Sequence, residues 1–195
     1  MKVCLFGGTF DPPHIGHLII AETVQETEGF DKMIFVPASI PPHKTKTDLS
    51  TIEDRMAMLR LALKGNENFQ LSDVEIKRGG ISYAIDTIRE LKQRYNLKSK
   101  EIYFLMGSDT LKEFHTWHQP EKILEESQVL IAARPGFRPS WISAEILSHI
   151  HFANVPQIEI SSSLLRERII AGRTVRYAVP DSVEKYIREK GLYNL

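Results

Sequence analysis

The sequence is poor in cysteine, in net charge and in extended apolar stretches, and each shortage excludes a class of protein. The single cysteine, Cys4, rules out an intrachain disulfide framework, and its place in the apolar segment 2–6 predicts a buried strand residue. The 25 basic residues are balanced by 25 acidic ones, which argues against a non-specific nucleic-acid binder. No apolar stretch approaches the ~18 residues of a membrane span, and the N-terminus does not fit a secretory signal. We therefore expect a reduced, cytoplasmic protein with neither nucleic acid nor a membrane as a partner.

The length of 195 residues and the order of the predicted elements favour one α/β domain. Short apolar runs alternate with segments of helical periodicity, as in a sheet whose strands are covered on both faces. The strands are predicted at 2–6, 32–37, 69–76, 101–106 and 128–133, and the helices at 16–27, 51–64, 83–95, 109–114, 120–126, 162–171 and 181–189. This order predicts a doubly wound, mostly parallel sheet in a single domain over 1–195, with 173–195 as a C-terminal helical segment packed on it. Residues 50–53 and 181–184 each fit a capping box.

Open parallel sheets bind ligands beyond the carboxyl ends of their strands, so the residues after each predicted strand are the candidates for a site. The first strand runs into GGTFDPPHIGH at residues 7–17. Gly7 and Gly8 allow a ligand to approach the backbone, and the segment leads into a helix N-terminus, which favours anions. His14 and His17 are three residues apart and can face one spot, while Gly16 leaves room for a phosphate. The alternatives are an incidental glycine turn or a zinc site. The zinc site lacks a third ligand nearby, so no metal site is predicted.

A second candidate anion site is EISSSLLRER at residues 159–168. Serines before an apolar-periodic run are ordinary helix caps, but that explanation does not cover the arginines. A cation near the start of a helix opposes the helix dipole. An anion held between Ser162, Ser163 and Arg166 would remove this conflict, so the pattern indicates a phosphate site.

Three more strand ends carry candidate ligand contacts. The loop after the second strand contains Lys44 and is either a solvated loop or a lid over phosphates. Gly107 and Asp109 follow the fourth strand, where Asp109 either caps the next helix or accepts hydrogen bonds from a ribose. A lone tryptophan is more often a core residue, but Trp117 lies in a polar stretch, which makes it a candidate for stacking on a flat ring. Arg134, after the fifth strand, is a candidate for the adenine or phosphate side.

Together these motifs resemble a known enzyme superfamily. Residues 14–17 match the HxGH motif of the nucleotidyltransferases, and 160–166 are similar to its ISSTxxR motif, with Ser163 where threonine is common. Residues 40–44, 107–109 and 116–117 narrow the resemblance to the bacterial nicotinate-mononucleotide adenylyltransferase family, along essentially the whole chain. The resemblance implies a dinucleotide-binding, Rossmann-like nucleotidyltransferase fold. It also implies transfer of AMP from ATP to nicotinate mononucleotide, with deamido-NAD and pyrophosphate as products.

The resemblance also implies roles for individual residues. Around the ATP phosphates it places His14, His17, Lys44, Ser162, Ser163 and Arg166. The adenosine side would be contacted by Gly7, Gly8, Thr9, Phe10, Gly107, Asp109 and Arg134. The pyridine nucleotide would be contacted by Tyr83, Ala84, Trp117 and His118. The chain departs from the family at Ala84, where threonine is usual, and at His118, where tyrosine is commoner; a backbone contact would survive both changes.

The expected chemistry needs no general base and no covalent nucleophile, because a phosphate oxygen of the mononucleotide is largely ionised at pH 7. Mg²⁺ is expected to be carried mainly by the ATP phosphates. The related alternatives are adenylyltransferases that prefer nicotinamide mononucleotide or phosphopantetheine. From another class, a non-catalytic nucleotide sensor would need affinity but no transition-state stabilisation. The sequence leaves the oligomeric state open, a homo-oligomer included.

Overall fold

The computed structural model describes residues 1–42, 49–133, 139 and 144–193, with no side-chain description for 144 and 145. Two predicted site residues, Lys44 and Arg134, lie outside the described residues. The described chain folds into one sheet with helices on both faces, and every strand pair in it is parallel. The predicted α/β, doubly wound architecture is thereby confirmed.

Six strands form the sheet in the order β3-β2-β1-β4-β5-β6. Their bounds are β1 Val3–Gly8, β2 Lys32–Pro37, β3 Phe69–Leu71, β4 Ile102–Gly107, β5 Gln128–Ala133 and β6 Ile150–Asn154. The chain winds outward from β1 in one direction and then from β4 in the other. Because β1 and β4 are neighbours, their carboxyl ends flank the crevice where such sheets bind ligands.

The described helices connect successive strands and extend beyond the last one. Their bounds are α1 Ile15–Glu28, α2 Ile52–Leu63, α3 Val74–Arg78, α4 Ala84–Arg94, α5 Ser108–Leu111, α6 Pro120–Glu126, α7 Ala144–Leu147, α8 Ser162–Ile170 and α9 Asp181–Lys190, with a 3-10 turn at Phe114–Thr116. None of the helices in the described ranges is both long enough and apolar enough to cross a membrane.

Two local predictions are wrong, and one strand is missed. The strand expected at 69–76 stops at Leu71, and its second half is helix α3, because Ser72 and Asp73 interrupt the apolar run. The missed strand is β6, whose sequence IHFAN is short, mixes apolar with polar residues and has only two of its five residues buried. The capping boxes do not form as expected: Thr51, rather than the residue before it, caps α2, and the residue before α9 is Pro180.

The alternation of side chains along β1 divides the core into two layers. Val3 and Leu5 pack with α4 on one face of the sheet, while Cys4 packs with α1 and α2 on the other. Cys4 is fully buried and unpaired, as the sequence predicts, and burial raises its pKa far above the ordinary range for a thiol. A third apolar cluster joins α9 to α2 and α8, so the C-terminal segment packs beside the sheet layers.

Candidate active site

A cavity of about 680 Å³ opens at the carboxyl ends of β1 and β4. Both strands end in glycines there, and the N-terminus of α4 and the 3-10 turn close the opposite side. Its lining includes eight predicted site residues: Gly7, Gly8, Thr9, Tyr83, Ala84, Gly107, Trp117 and His118. The structure therefore brings together residues that the sequence separates by as many as about 110 positions.

The two histidines of the HxGH motif lie against each other beside this cavity. The ring centroids of His14 and His17 are 3.6 Å apart, and the ring planes are inclined by 23°. His14 is the N-cap of α1, so its extended backbone places its ring over the first helical turn, where His17 sits three residues on. Phe6 lines the cavity and also contacts the edge of the His17 ring, with centroids 6.0 Å apart.

Burial holds both histidines in the neutral form at pH 7. It lowers the pKa of His14 to about 4, and it lowers the pKa of His17 well below its usual value, with His14 as a secondary cause. The Nδ1 atom of His17 accepts the main-chain N–H of His14 at 3.2 Å, which leaves the proton on Nε2 of the His17 ring. His14 Nδ1 is buried and has no hydrogen-bond partner among the described residues. The pair thus offers neutral N–H donors rather than two positive charges.

The glycines of the motif are required by the protein's own packing. A Cβ on Gly8 would come within 2.9 Å of the Phe10 ring, and a Cβ on Gly16 would come within 3.0 Å of His14 Nδ1. Phe10 is buried and packs between Phe6 and Phe35. Gly16 therefore makes room for the His14 ring, whereas the sequence suggested room for a phosphate.

Arg166 is held by two hydrogen bonds, one to the HxGH loop and one within α8. Its Nη1 donates to the main-chain oxygen of Asp11 at 2.8 Å, and its Nη2 donates to Ser163 Oγ at 3.3 Å. The neighbouring Ser162 hydroxyl donates to the carbonyl of Pro12 at 2.9 Å. The carbonyl of Asp11 thus partly compensates the cation near the start of α8. The two predicted phosphate motifs, 150 residues apart in sequence, meet at this point.

The wall opposite β1 is aromatic. Trp117 is half-buried and meets Phe104 and Phe114 at centroid distances of 5.9 and 5.7 Å, so it belongs to the core on one side and to the cavity on the other. Tyr83 and His118 lie ring against ring at 4.3 Å. This arrangement suits a flat aromatic ligand next to Trp117.

Gly107 and Asp109, which the sequence assigns together to the adenosine ribose, differ in their relation to the cavity. Gly107 lines the cavity, and a Cβ there would meet nothing within 4 Å. Asp109 lies in the first turn of α5, is exposed and does not line the cavity. Its predicted ribose contact stays a prediction, as do the roles of Lys44 and Arg134.

Sequence reasoning missed a buried network that supports the loop. Arg55 on α2 is 2% exposed and donates to the carbonyls of Thr9 and Ala38, at 3.2 and 2.7 Å. Asp11 is fully buried and accepts the Tyr193 hydroxyl at 2.6 Å and the Ser50 N–H at 3.1 Å. No local sequence pattern indicates these pairings, since they join residues up to 182 positions apart. A fourth missed residue, Glu75, lines the cavity itself.

Metal-binding side chains do not cluster in the part of the chain that the structure describes. No group of three or more histidine, cysteine, aspartate or glutamate side chains is placed to hold an ion there. The buried carboxylate nearest the phosphate motifs, Asp11, is already engaged by two protein donors.

The chain matches known proteins along almost its full length. Residues 5–168 match the model of the cytidylyltransferase-like family. The chain is 42% identical over 193 residues to an Exiguobacterium sibiricum protein named "Probable nicotinate-nucleotide adenylyltransferase", covering 99% of each. It is 40% identical over 192 residues to the nicotinate-nucleotide adenylyltransferase of Bacillus subtilis, covering 98% of each. The Plasmodium falciparum nicotinic acid mononucleotide adenylyltransferase complexed with NaAD has the same fold, with a TM-score of 0.79 at 21% identity over 98% of this chain and 97% of that one.

Proposed function

The chain belongs to the nicotinate-nucleotide adenylyltransferase family, and we propose that it transfers AMP from ATP to nicotinate mononucleotide, giving deamido-NAD and pyrophosphate. The observation that carries this function is the contact between the two phosphate motifs next to the cavity. Arg166 and Ser162 hydrogen-bond to Asp11 and Pro12. These two residues lie in the loop that joins Gly8 and Thr9 of the cavity wall to the stacked rings of His14 and His17. The motifs therefore bring neutral ring donors and a fixed cation to a strand end and helix N-termini, which favour phosphate. The cavity beside them has an aromatic wall for the pyridine ring.

The chemistry is a displacement at the α-phosphorus of ATP. A phosphate oxygen of the mononucleotide forms the new P–O bond, and the bond to the pyrophosphate oxygen breaks. This nucleophile is largely ionised at pH 7, since the second pKa of a phosphate monoester is about 6. Neither a general base nor a covalent intermediate is needed. The protein's task is to position two polyanions and to stabilise the charge that builds on the α-phosphate and the leaving group.

Each member of the phosphate motifs has a distinct part in this task. His17 is assigned to the α-phosphate oxygens, with Nε2–H as the donor that its tautomer leaves available. His14, Lys44 and Arg166 hold the β and γ groups and the departing pyrophosphate. Arg166 has further N–H groups beyond the two already bonded to Asp11 and Ser163, so it binds phosphate without leaving its anchor.

Mg²⁺ is proposed to enter with ATP. Asp11 is engaged by Tyr193 and Ser50, so the described residues near the phosphate motifs do not form a carboxylate cage. The ion would be held by phosphate oxygens and water, which is the coordination that Mg²⁺ commonly keeps. Bound there, it would neutralise charge on the triphosphate.

The acid form of the mononucleotide is favoured by the start of α4. Ala84 is the first residue of this helix and lines the cavity, and the Tyr83 side chain does not cap the helix end. The first N–H groups of a helix are suited to a carboxylate, which needs donors only, whereas an amide also needs an acceptor. Because a main-chain N–H requires no hydroxyl, alanine at this position serves as well as the family's usual threonine.

A pyrophosphate-release assay tests the function directly. ATP is supplied with nicotinate mononucleotide, nicotinamide mononucleotide or phosphopantetheine, and the largest kcat/KM is expected with nicotinate mononucleotide. A preference for either other acceptor would assign the chain to the corresponding alternative. Nucleotide binding without turnover in all three reactions would indicate a nucleotide sensor.

A further inference from the structure

One carboxylate of the cavity wall has no part in the reaction described above. Glu75 lies in α3 and lines the cavity, yet its side chain is only 7% exposed. Burying a carboxylate is costly unless hydrogen bonds compensate it. The partners of Glu75 therefore indicate what its burial achieves.

Two hydroxyls point at the Glu75 carboxylate, and both are constrained to donate. Thr87 Oγ1 donates to Glu75 Oε1 at 2.6 Å and itself accepts Arg78 Nη2 at 2.9 Å. The Ser82 hydroxyl also hydrogen-bonds to Glu75, and its oxygen accepts the Ser39 N–H at 2.8 Å. An N–H is already directed at each hydroxyl oxygen, so each hydroxyl proton is available to Glu75; the other acceptor near the Thr87 hydroxyl, the Tyr83 carbonyl, is farther away at 3.4 Å. A carboxylate, which only accepts hydrogen bonds, fits this arrangement.

The charge of Glu75 is balanced from the same partners. Burial raises the pKa of Glu75, and the hydroxyls of Ser82 and Thr87 together with the charge of Arg78 oppose that rise. Arg78 reaches the network through Thr87 and also pairs with Glu90 at 3.3 Å. The carboxylate thus sits in a closed set of donors rather than facing open solvent.

The segments joined by this network are two neighbouring pieces of the cavity wall. Ser39 belongs to the chain that leaves β2, where Ala38, Pro41 and Pro42 line the cavity. Ser82 directly precedes the start of α4, and its N–H donates to the Ile40 carbonyl at 2.9 Å. The buried carboxylate of Glu75 connects the chain leaving β2 and the start of α4 to α3.

We propose that Glu75 is a positioning residue for the pyridine-nucleotide substrate, which fixes the start of α4 against the chain leaving β2. The inference rests on the proposed function, because it assumes that this part of the cavity takes the mononucleotide. Glu75 is absent from the phosphate motifs around His14, His17 and Arg166. Loss of the Glu75 carboxylate should therefore weaken the binding of nicotinate mononucleotide and leave the binding of ATP unchanged.

The test is Glu75→Gln, which keeps the shape and removes the charge. An amide group has one acceptor oxygen where the carboxylate has two, and it adds a donor among groups that donate, so the network is weakened. We expect the Kd and KM for nicotinate mononucleotide to rise about tenfold or more, while the KM for ATP stays within about twofold. A merely structural role would lower the melting temperature and the active fraction with both KM values unchanged.

Two further variants keep the result interpretable. Glu90→Gln removes the other carboxylate that pairs with Arg78, outside the cavity wall, and should leave both KM values unchanged. Ser82→Ala removes one hydroxyl of the network while sparing the buried charge. It should raise the Kd for nicotinate mononucleotide in the same direction, even if Glu75→Gln fails to fold.

The two proposals fail in different ways. Turnover by the wild type tests the proposed function. The role of Glu75 is tested by the ratio of the Kd values of variant and wild type, measured by Trp117 fluorescence or calorimetry. This ratio can be measured whether or not turnover is observed. Unchanged Kd in folded Glu75→Gln, or in Ser82→Ala if the first variant does not fold, would overturn the inference. An equal loss of affinity for ATP and for nicotinate mononucleotide would also overturn the inference about Glu75.

Discussion

The Tyr193 hydroxyl donates to the buried carboxylate of Asp11 across 2.6 Å, and this contact connects the C-terminal segment to the HxGH loop. Asp11 also accepts hydrogen bonds from two other segments of the chain. Its second carboxylate oxygen accepts the Ser50 N–H, and its main-chain carbonyl accepts an N–H of the Arg166 side chain. The segment after α9 thus packs against the loop that carries the residues assigned to the phosphates. The pKa of the Tyr193 hydroxyl is raised by burial and by Asp11, so it remains a donor at any physiological pH.

Tyr193→Phe is expected to destabilise the fold by about 1.5–3 kcal/mol, because it leaves one oxygen of a buried carboxylate without its donor. The free energy of unfolding from urea titrations measures this loss. The matched control is Tyr186→Phe, which removes a 2.9 Å hydrogen bond to Asp54 at a more exposed place. The control variant should lose distinctly less free energy of unfolding. Similar losses in both variants would show that the hydrogen bond to Asp11 contributes no more than an ordinary exposed one.

His17→Ala is expected to lower kcat by about 10²–10³ with the fold intact, as for loss of one donor to the transition state. Steady-state pyrophosphate release measures kcat, and circular dichroism checks the fold. His151 on β6, which bonds to Gln128 away from the cavity, provides the control variant His151→Ala. Near-normal turnover by folded His17→Ala would contradict the assignment of His17 to the α-phosphate.

Stability should fall in mild acid because His14 is buried in its neutral form. Its pKa is about 4 in the folded chain against 6.5 for an exposed histidine, so between these values the unfolded chain binds a proton that the folded chain excludes. This contribution is complete above pH 6.5 and is lost as the pH falls toward 4.

Urea unfolding at pH 7 and pH 4.5, in the wild type and in His14→Gln, measures the contribution of His14. The wild type should lose about 2–3 kcal/mol more between the two pH values than the variant does, and carboxylate effects cancel in the difference. Parallel pH profiles for the two proteins would show that the ring is protonated in the folded state.

Trp117→Ala is expected to weaken the binding of nicotinate mononucleotide far more than the binding of ATP. A ring stacked on an aromatic side chain contributes about 1–3 kcal/mol, so the KM for the mononucleotide should rise about tenfold or more. Trp117→Phe retains a smaller face and should recover part of the affinity. Because Trp117 also packs on Phe104 and Phe114, equal weakening of both substrates would identify it as a core residue only.

Much of the site could be predicted because ligands bind beyond the carboxyl ends of parallel strands. This rule points to Gly7 and Gly107, which directly follow predicted strands, whereas Trp117 is predicted from the polar stretch around it; all three line the cavity. Local motifs likewise located His14 and Arg166. A side chain that follows a strand must lie at the sheet edge, so these positions follow from sequence order alone.

The remaining parts depend on pairings that no local pattern encodes. Tyr193 meets Asp11 across 182 residues, and Arg55 binds carbonyls, which every residue has. Glu75 lay inside a segment predicted as strand, where the apolar pattern of 69–76 obscured the start of α3. The strand β6 was not predicted because it is a short edge strand in which apolar and polar residues are mixed, and only two of its five residues are buried.

Gly107→Ala separates a structural glycine from one kept for a ligand. Its backbone, at φ −75° and ψ 154°, suits any residue, and the added Cβ would meet nothing within 4 Å. The free energy of unfolding should therefore stay unchanged or rise by about 0.4–1 kcal/mol. If the ribose of ATP approaches this backbone, the KM for ATP should rise severalfold while the KM for nicotinate mononucleotide changes little. Gly8→Ala is the contrasting variant, since its Cβ would collide with the Phe10 ring at 2.9 Å and reduce stability. An unchanged KM for ATP in Gly107→Ala would place the ribose elsewhere in the crevice.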